Sequence, residues 1–230
     1  MLNEKAIAFI GSGIMAEAII KGLLRQGLVT PDKIIASGPR PGRGQELFDR
    51  YGVRTTTGNV EAASGAEVVV LSVKPQVLCR VLEELGDHVD PGALVISIVA
   101  GAKTDTIQRM LGTPAVVRVM PNTPAQIGLG ISVWTDTEAT TEAQKEQALA
   151  ILRALGEEVY VEDEGDMDMA TALSGTGPAY VFLLMEAMVD AGVHLGFSRH
   201  VSERLVVETL RGSVEYARQS PRHLAALRNQ

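Results

Sequence analysis

The chain has a single cysteine, Cys79, in 230 residues, so it can form no disulfide within itself, and its Cys and His residues lack the spacing of a metal cluster. A reducing compartment and no metal are expected. Positive charge is scarce too: 21 Lys and Arg against 28 Asp and Glu leave a formal net charge of −7. Phosphate-backbone binding needs a concentrated basic surface, which excludes nucleic acid as an expected partner and favours a small molecule. Long apolar runs are missing as well. The run Ala6 to Ile10 is too short for a signal-peptide core, and no later apolar stretch approaches the roughly 20 residues of a bilayer span. A cytoplasmic protein with no membrane contact is the expectation. What is present is an ordinary globular composition, 46% apolar and 21% charged, with length enough for two unequal domains.

Ala6 to Ile10 ends in glycines and is followed by helical spacing through Met15, Ile19, Ile20, Leu23 and Leu24. That pattern reads as strand, tight turn, helix. It recurs with strands at 33–37, 67–73 and 94–98, and 116–120 and 131–135 extend the set. Strands without period-two alternation, separated by helices, imply a mainly parallel, doubly wound α/β sheet covered on both faces. Thr141 and Gln144 form a capping box for a helix that Gly156 stops. A strand over 158–162 leads into the acidic stretch Glu162 to Asp166, where the composition changes. The expected domains are therefore 1–164, a dinucleotide-binding Rossmann domain, and 165–230, all helical. The helix opening at Pro178 is apolar nearly all round, with Val181, Leu184, Met185, Met188 and Val189 on one face and Phe182, Leu183 and Ala187 on the other. Such a helix needs burial on all sides, and roughly 65 residues make a poor independent core, so a second subunit is expected to cover it.

Gly11-Ser-Gly13-Ile-Met-Ala16 fits G-x-G-x-x-[G/A] between a strand and a helix, the context in which it seats a pyrophosphate on a helix N-terminus. About 20 residues on, where an NAD-preferring domain carries an acidic residue, stands Ser37-Gly-Pro-Arg40, with Arg43 close behind. A hydroxyl and guanidinium groups suit a 2′-phosphate, so NADP(H) is expected to be preferred and NAD(H) to be usable. Arg40 and Arg43 also read simply as solvated loop residues.

Four further stretches exceed what a fold alone explains: Leu71-Ser-Val-Lys-Pro-Gln76, Ser97-Ile-Val-Ala-Gly101, Met120-Pro-Asn-Thr-Pro124 and Thr171-Ala-Leu-Ser-Gly-Thr-Gly-Pro-Ala-Tyr180. Together, in order and spacing, they resemble the pyrroline-5-carboxylate reductases. The resemblance implies reduction of 1-pyrroline-5-carboxylate to L-proline with NAD(P)H, by a Rossmann domain and a helical domain interlocked in a dimer, with a ring of dimers as a further assembly. It places the cofactor phosphates on Gly11, Ser12, Gly13, Ile14 and Met15 beside Ile10, the adenosine end on Ser37, Arg40 and Asn59, and the nicotinamide ribose on Val73, Lys74, Pro75, Ala100 and Gly101. Lys74 and Asn122 would be positioning residues at the reaction centre. Glu164, Thr171, Ser174, Gly175 and Thr176 would serve the substrate, the last three by an anion-binding nest of backbone N–H groups before the Pro178 helix.

Blander readings stand beside these. Lys74 reads as a surface lysine, Asn122 as the cap of a proline turn and Ser174 or Thr176 as helix caps. His88, His194, His200 and His223 fall outside the motifs and receive no role. The family carries a Ser-Pro-Gly-Gly-Thr-Thr-like substrate loop just beyond the segment matching 224–230, so the resemblance implies a substrate site and helical domain that are incomplete, truncated at the C-terminus. Two alternatives remain at this point: a β-hydroxyacid dehydrogenase-like NADP oxidoreductase, whose glycine turn is similar, and a non-catalytic dinucleotide-binding regulatory protein.

Overall fold

The computed structural model describes residues 2–229. Its strands are β1 (Ile7–Ile10), β2 (Ile34–Ser37), β3 (Arg54–Thr56), β4 (Val68–Leu71), β5 (Leu94–Ser97), β6 (Val116–Pro121), β7 (Gly130–Asp136) and β8 (Gly156–Tyr160). The helices are α1 (Ile14–Arg25), α2 (Pro41–Tyr51), α3 (Asn59–Ala63), α4 (Leu78–Leu85), α5 (Thr104–Leu111), α6 (Glu142–Arg153), α7 (Asp166–Ala170), α8 (Gly177–His194), α9 (Arg199–Gln219) and α10 (Leu224–Arg228). One sheet holds all eight strands in the order β3-β2-β1-β4-β5-β6-β7-β8. Every pair is parallel except β6 with β7.

The strands read as apolar runs because both faces are covered, and the pleat sends alternate residues into two separate cores. Ile7 and Phe9 of β1 join Ile19, Ile20 and Leu23 of α1 and Ile151 and Leu152 of α6. Ala8 and Ile10 face the other way, onto Ala62, Leu82 and Ile107. The capping box of α6 forms as expected, Thr141 accepting from the Gln144 N–H and Gln144 reaching back to the Thr141 N–H. That helix ends at Arg153, before Gly156, which opens β8 instead. Strand β3 carries no apolar run, being Arg-Thr-Thr at the sheet edge, and sequence periodicity passes over it.

The chain divides into two compact units, 1–176 and 177–230. The boundary expected after 164 thus falls inside the first unit. The reason is that α7 packs on β6 and β7, while Arg118 of β6 binds both Glu164 and Asp168. In the second unit α8 and α9 pack closely where Gly192 meets Ser202; a Cβ on Gly192 would lie 2.7 Å from the Ser202 hydroxyl oxygen. Arg199 pairs with Asp190 at 2.9 Å across the same turn. Tyr180, Val181, Phe182, Leu183 and Leu184 of α8 are exposed, as are Leu205 and Val214 of α9. One helical run bears on the expectation that no apolar stretch reaches bilayer length. Within the helical run Asp166–His194 an 18-residue window reaches a mean hydropathy of 1.3, which meets the length and composition of a membrane-crossing helix and no more than that.

Candidate functional site

Strands β2, β1, β4, β5 and β6 run parallel in neighbouring positions, so their C-terminal ends line one edge of the sheet. The order reverses beside β1, which leads to β2 on one side and β4 on the other, and such a switch point opens the crevice where α/β sheets take ligands. Gly11 sits at its base with φ +104, its N–H bonded to the Ser37 carbonyl at 3.1 Å. Ser72, just past β4, closes the turn from the other side. Its N–H bonds the Ile10 carbonyl at 2.9 Å and its hydroxyl the Gly11 carbonyl at 2.7 Å.

Gly13 then opens α1, and no side chain caps that helix. The first-turn N–H groups of a helix otherwise need a partner, and a Cβ on Gly13 would meet nothing within 4 Å. An uncapped helix start with bare backbone before it fits a pyrophosphate. Gly13 and Ile14 are exposed, Met15 half-buried and Ile10 buried.

The expected adenosine end is only partly as the sequence suggested. Ser37 is fully buried, its hydroxyl 2.8 Å from Asn59 Oδ1, so it supports the β2 end from below rather than presenting a hydroxyl to a ligand. Asn59 in turn donates to Glu84 at 2.9 Å. Arg43 is engaged as well: its Nε donates to the Ser12 carbonyl at 3.0 Å, and its two terminal nitrogens pair with Glu17 and Glu46. It clamps the glycine loop to α2. Glu17 also accepts from Tyr51 at 2.8 Å and Arg50 at 3.0 Å. Burial raises its carboxyl pKa, but the bonds from Arg43 and Tyr51 outweigh that and hold it below the usual carboxylate range. Arg40, by contrast, is exposed and, among the described residues, its side chain has no hydrogen bond or ion pair.

Past β4, Val73 is half-buried, and Lys74 and Pro75 are exposed at the strand-end edge; Ala100 and Gly101 are exposed beyond neighbouring β5. These five residues follow the C-terminal ends of two neighbouring parallel strands. Asn122, beyond β6, does not cap the proline turn that follows it. Its Nδ2 donates to the Ser174 carbonyl at 3.2 Å and its Oδ1 accepts from the Ile131 N–H at 3.0 Å, tying the loop to β7 and to the segment after α7.

That segment, Thr171–Gly175, is one turn of π-helix continuing from α7, where a nest or a helix cap was expected. The Thr176 N–H is taken by the Thr171 carbonyl at 2.9 Å, and the hydroxyls of Thr171, Ser174 and Thr176 donate to carbonyls of Met167, Ala170 and Thr171. Gly175 lies close against Met120, where a Cβ would sit 2.6 Å from the methionine methyl. π-turns of this kind recur at functional sites because the extra residue re-aims the side chains around it. Glu164, its side chain 30% exposed, is held by protein: Oε1 accepts from the Thr104 N–H at 2.9 Å and from Arg118 at 3.0 Å, and Oε2 from the Thr104 hydroxyl at 3.1 Å. Arg118, Thr104 and Glu17 were not singled out in the sequence, and Ser72 and Arg43 were named there without these bonds. Arg118 alone left a signal, a charge within the otherwise apolar strand Val116–Pro121.

A family model described as NADP oxidoreductase coenzyme F420-dependent matches residues 6–101, and one described as pyrroline-5-carboxylate reductase dimerisation matches 164–230. A pyrroline-5-carboxylate reductase of Pseudomonas aeruginosa is 42% identical over 228 residues, covering 99% of this chain and 83% of the relative. Among solved structures, a pyrroline-5-carboxylate reductase from Coxiella burnetii superposes with a TM-score of 0.89 at 36% identity, over 99% of this chain and 84% of the other. Pyrroline carboxylate reductase of Plasmodium falciparum, solved with NADP bound, gives a TM-score of 0.90 at 30% identity, over 100% of this chain and 84% of the other. On identity and coverage alone, the chain belongs to the pyrroline-5-carboxylate reductase family.

Proposed function

We infer that the chain is a pyrroline-5-carboxylate reductase that reduces the C=N bond of 1-pyrroline-5-carboxylate to give L-proline, the reaction for which its family is named. The observation that carries the reading is the crevice at the ends of β1, β4 and β5, with a bare, uncapped helix start at one end and Lys74, Ala100 and Gly101 at the other. A bound nicotinamide dinucleotide would supply the hydride there. The chain's task is alignment, since holding two reactants in register supplies much of the rate enhancement in such a transfer. In this reading Gly11, Ser12, Gly13, Ile14 and Met15 hold the pyrophosphate against α1, and Val73, Lys74, Pro75, Ala100 and Gly101 hold the nicotinamide ribose. Asn122 keeps the π-turned segment, with Thr171, Ser174, Gly175 and Thr176, facing the reaction centre. The helical unit pairs with that of a second copy through α8 and α9, whose exposed apolar side chains support a dimer.

The preferred cofactor is NADPH, on the strength of Arg40 alone, because Ser37 is buried and Arg43 is committed to Glu17 and Ser12. Oxidation of NADPH dependent on the cyclic imine, followed at 340 nm, tests the activity; oxidation driven by 3-hydroxy acids instead would point to a β-hydroxyacid dehydrogenase. Arg40→Ala should raise the KM for NADPH about tenfold, a charge-assisted phosphate contact contributing about 1.5 kcal/mol, and leave that for NADH unchanged. Equal losses with both cofactors would remove the 2′-phosphate from Arg40.

A further inference from the structure

The Arg118 side chain is only 5% exposed, in the middle of the sheet, and a guanidinium that deep must be paired. It binds Glu164 at 3.0 Å and Asp168 at 3.2 Å. Glu164 does more than neutralise it. Helix α5 has no side-chain cap of its own at Lys103, and the Glu164 carboxylate takes both the N–H and the hydroxyl of Thr104, the first residue of that helix. A distant carboxylate thereby caps α5, where the helix dipole favours negative charge. The connection so anchored is the one that carries Ala100 and Gly101. On its other side the same carboxylate immediately precedes α7 and the π-turn, which Asp168 and Arg118 fasten to β6.

Resting on the reductase reading above, we propose that Glu164 is a positioning residue that touches no substrate. With Arg118 and Thr104 it fixes the Ala100–Gly101 turn, on the cofactor side, against the 171–175 π-turn, on the imine side, and so sets the distance over which the hydride travels. Misplacement by about 1 Å at such a junction costs up to about a hundredfold in rate.

Glu164→Gln keeps shape and acceptor oxygen but loses the charge; Thr104→Val keeps shape but loses the hydroxyl. Both are expected to lower kcat, Glu164→Gln by about tenfold or more and Thr104→Val by about threefold, with the KM for the imine and the Kd for NADPH within twofold of the parent. The double variant should be no slower than Glu164→Gln alone, because both break one link. Amide hydrogen exchange should speed up in both 100–104 and 171–176 in either variant, a readout that needs no turnover. A raised imine KM in Glu164→Gln with Thr104→Val at the parental rate would make Glu164 a substrate contact and overturn the proposal. So would exchange that quickens in one segment only. If the unaltered chain reduces no imine, the reductase reading fails on that result, while the exchange data still decide whether Glu164 joins the two segments. Should Glu164→Gln fail to fold, Thr104→Val alone carries the same comparison.

Discussion

Gly11→Ala should weaken the binding of NADPH by at least about a hundredfold and abolish measurable turnover. The glycine holds φ +104, where an L side chain costs about 1–2 kcal/mol, and an added Cβ would lie 2.7 Å from the Ser72 carbonyl oxygen and 3.0 Å from the Val73 nitrogen. Neither neighbour can give way cheaply. Both are backbone, and Ser72 is pinned by its N–H to the Ile10 carbonyl at 2.9 Å and by its hydroxyl to the Gly11 carbonyl at 2.7 Å. The turn must move, taking with it the start of α1 and the entrance to the Val73–Pro75 stretch. Gly13→Ala makes the informative contrast, because a Cβ there meets nothing within 4 Å in the free protein. Its thermal stability should match the parent, yet its affinity should fall about as far, since the methyl group occupies the space through which a pyrophosphate reaches the backbone. Calorimetric titration with NADPH reads both. Affinity of Gly13→Ala within threefold of the parent would take the phosphates away from this turn.

The Rossmann half was legible because its signals are local. Buried parallel strands leave continuous apolar runs, a glycine turn leaves a spaced motif, and the Thr141–Gln144 capping box spans a single helical turn. Long-range polar ties leave no such trace. That Arg43 belongs to Glu17, that Ser37 turns inward to Asn59 and that Glu164 caps the helix at Thr104 depend on side chains brought together from distant parts of the chain. The same limit explains the π-turn. Ser-Gly-Thr-Gly before a proline carries turn chemistry, and only the packing of Gly175 on Met120 and of α7 on β6 keeps it helical. Ser37, Arg43 and Glu164, expected as ligand contacts, are each bonded within the protein, which supports reading them as struts for the ligand-facing backbone. One consequence is that substitutions at these struts should show in kcat and in loop exchange before they show in ground-state affinity.

Replacing both Phe182 and Leu183 by Asp should convert the protein from dimer to monomer at micromolar concentration in sedimentation velocity. These side chains are 59% and 66% exposed on α8, next to exposed Tyr180, Val181 and Leu184. An apolar patch of that size is rarely left to water. Each large side chain buried on association contributes about 1.5–3 kcal/mol, and a carboxylate in the same place costs several more, so two such changes exceed what a dimer of ordinary affinity can lose. The first unit has its own two cores, neither of which includes a residue of α8. NADPH affinity should consequently survive while turnover falls, if the reaction needs the paired helices. The competing explanation of the same surface is a lipid one, since Asp166–His194 is long and apolar enough for a bilayer. Glu186 and Asp190 within it argue for a protein cover, because a carboxylate finds hydrogen-bond donors across a helix interface and none among acyl chains. Flotation with liposomes distinguishes the two. A parent chain that floats with vesicles and stays monomeric without them would reassign α8 to the membrane, whereas a dimer that ignores vesicles and falls apart on the double substitution makes α8 the seam between two copies.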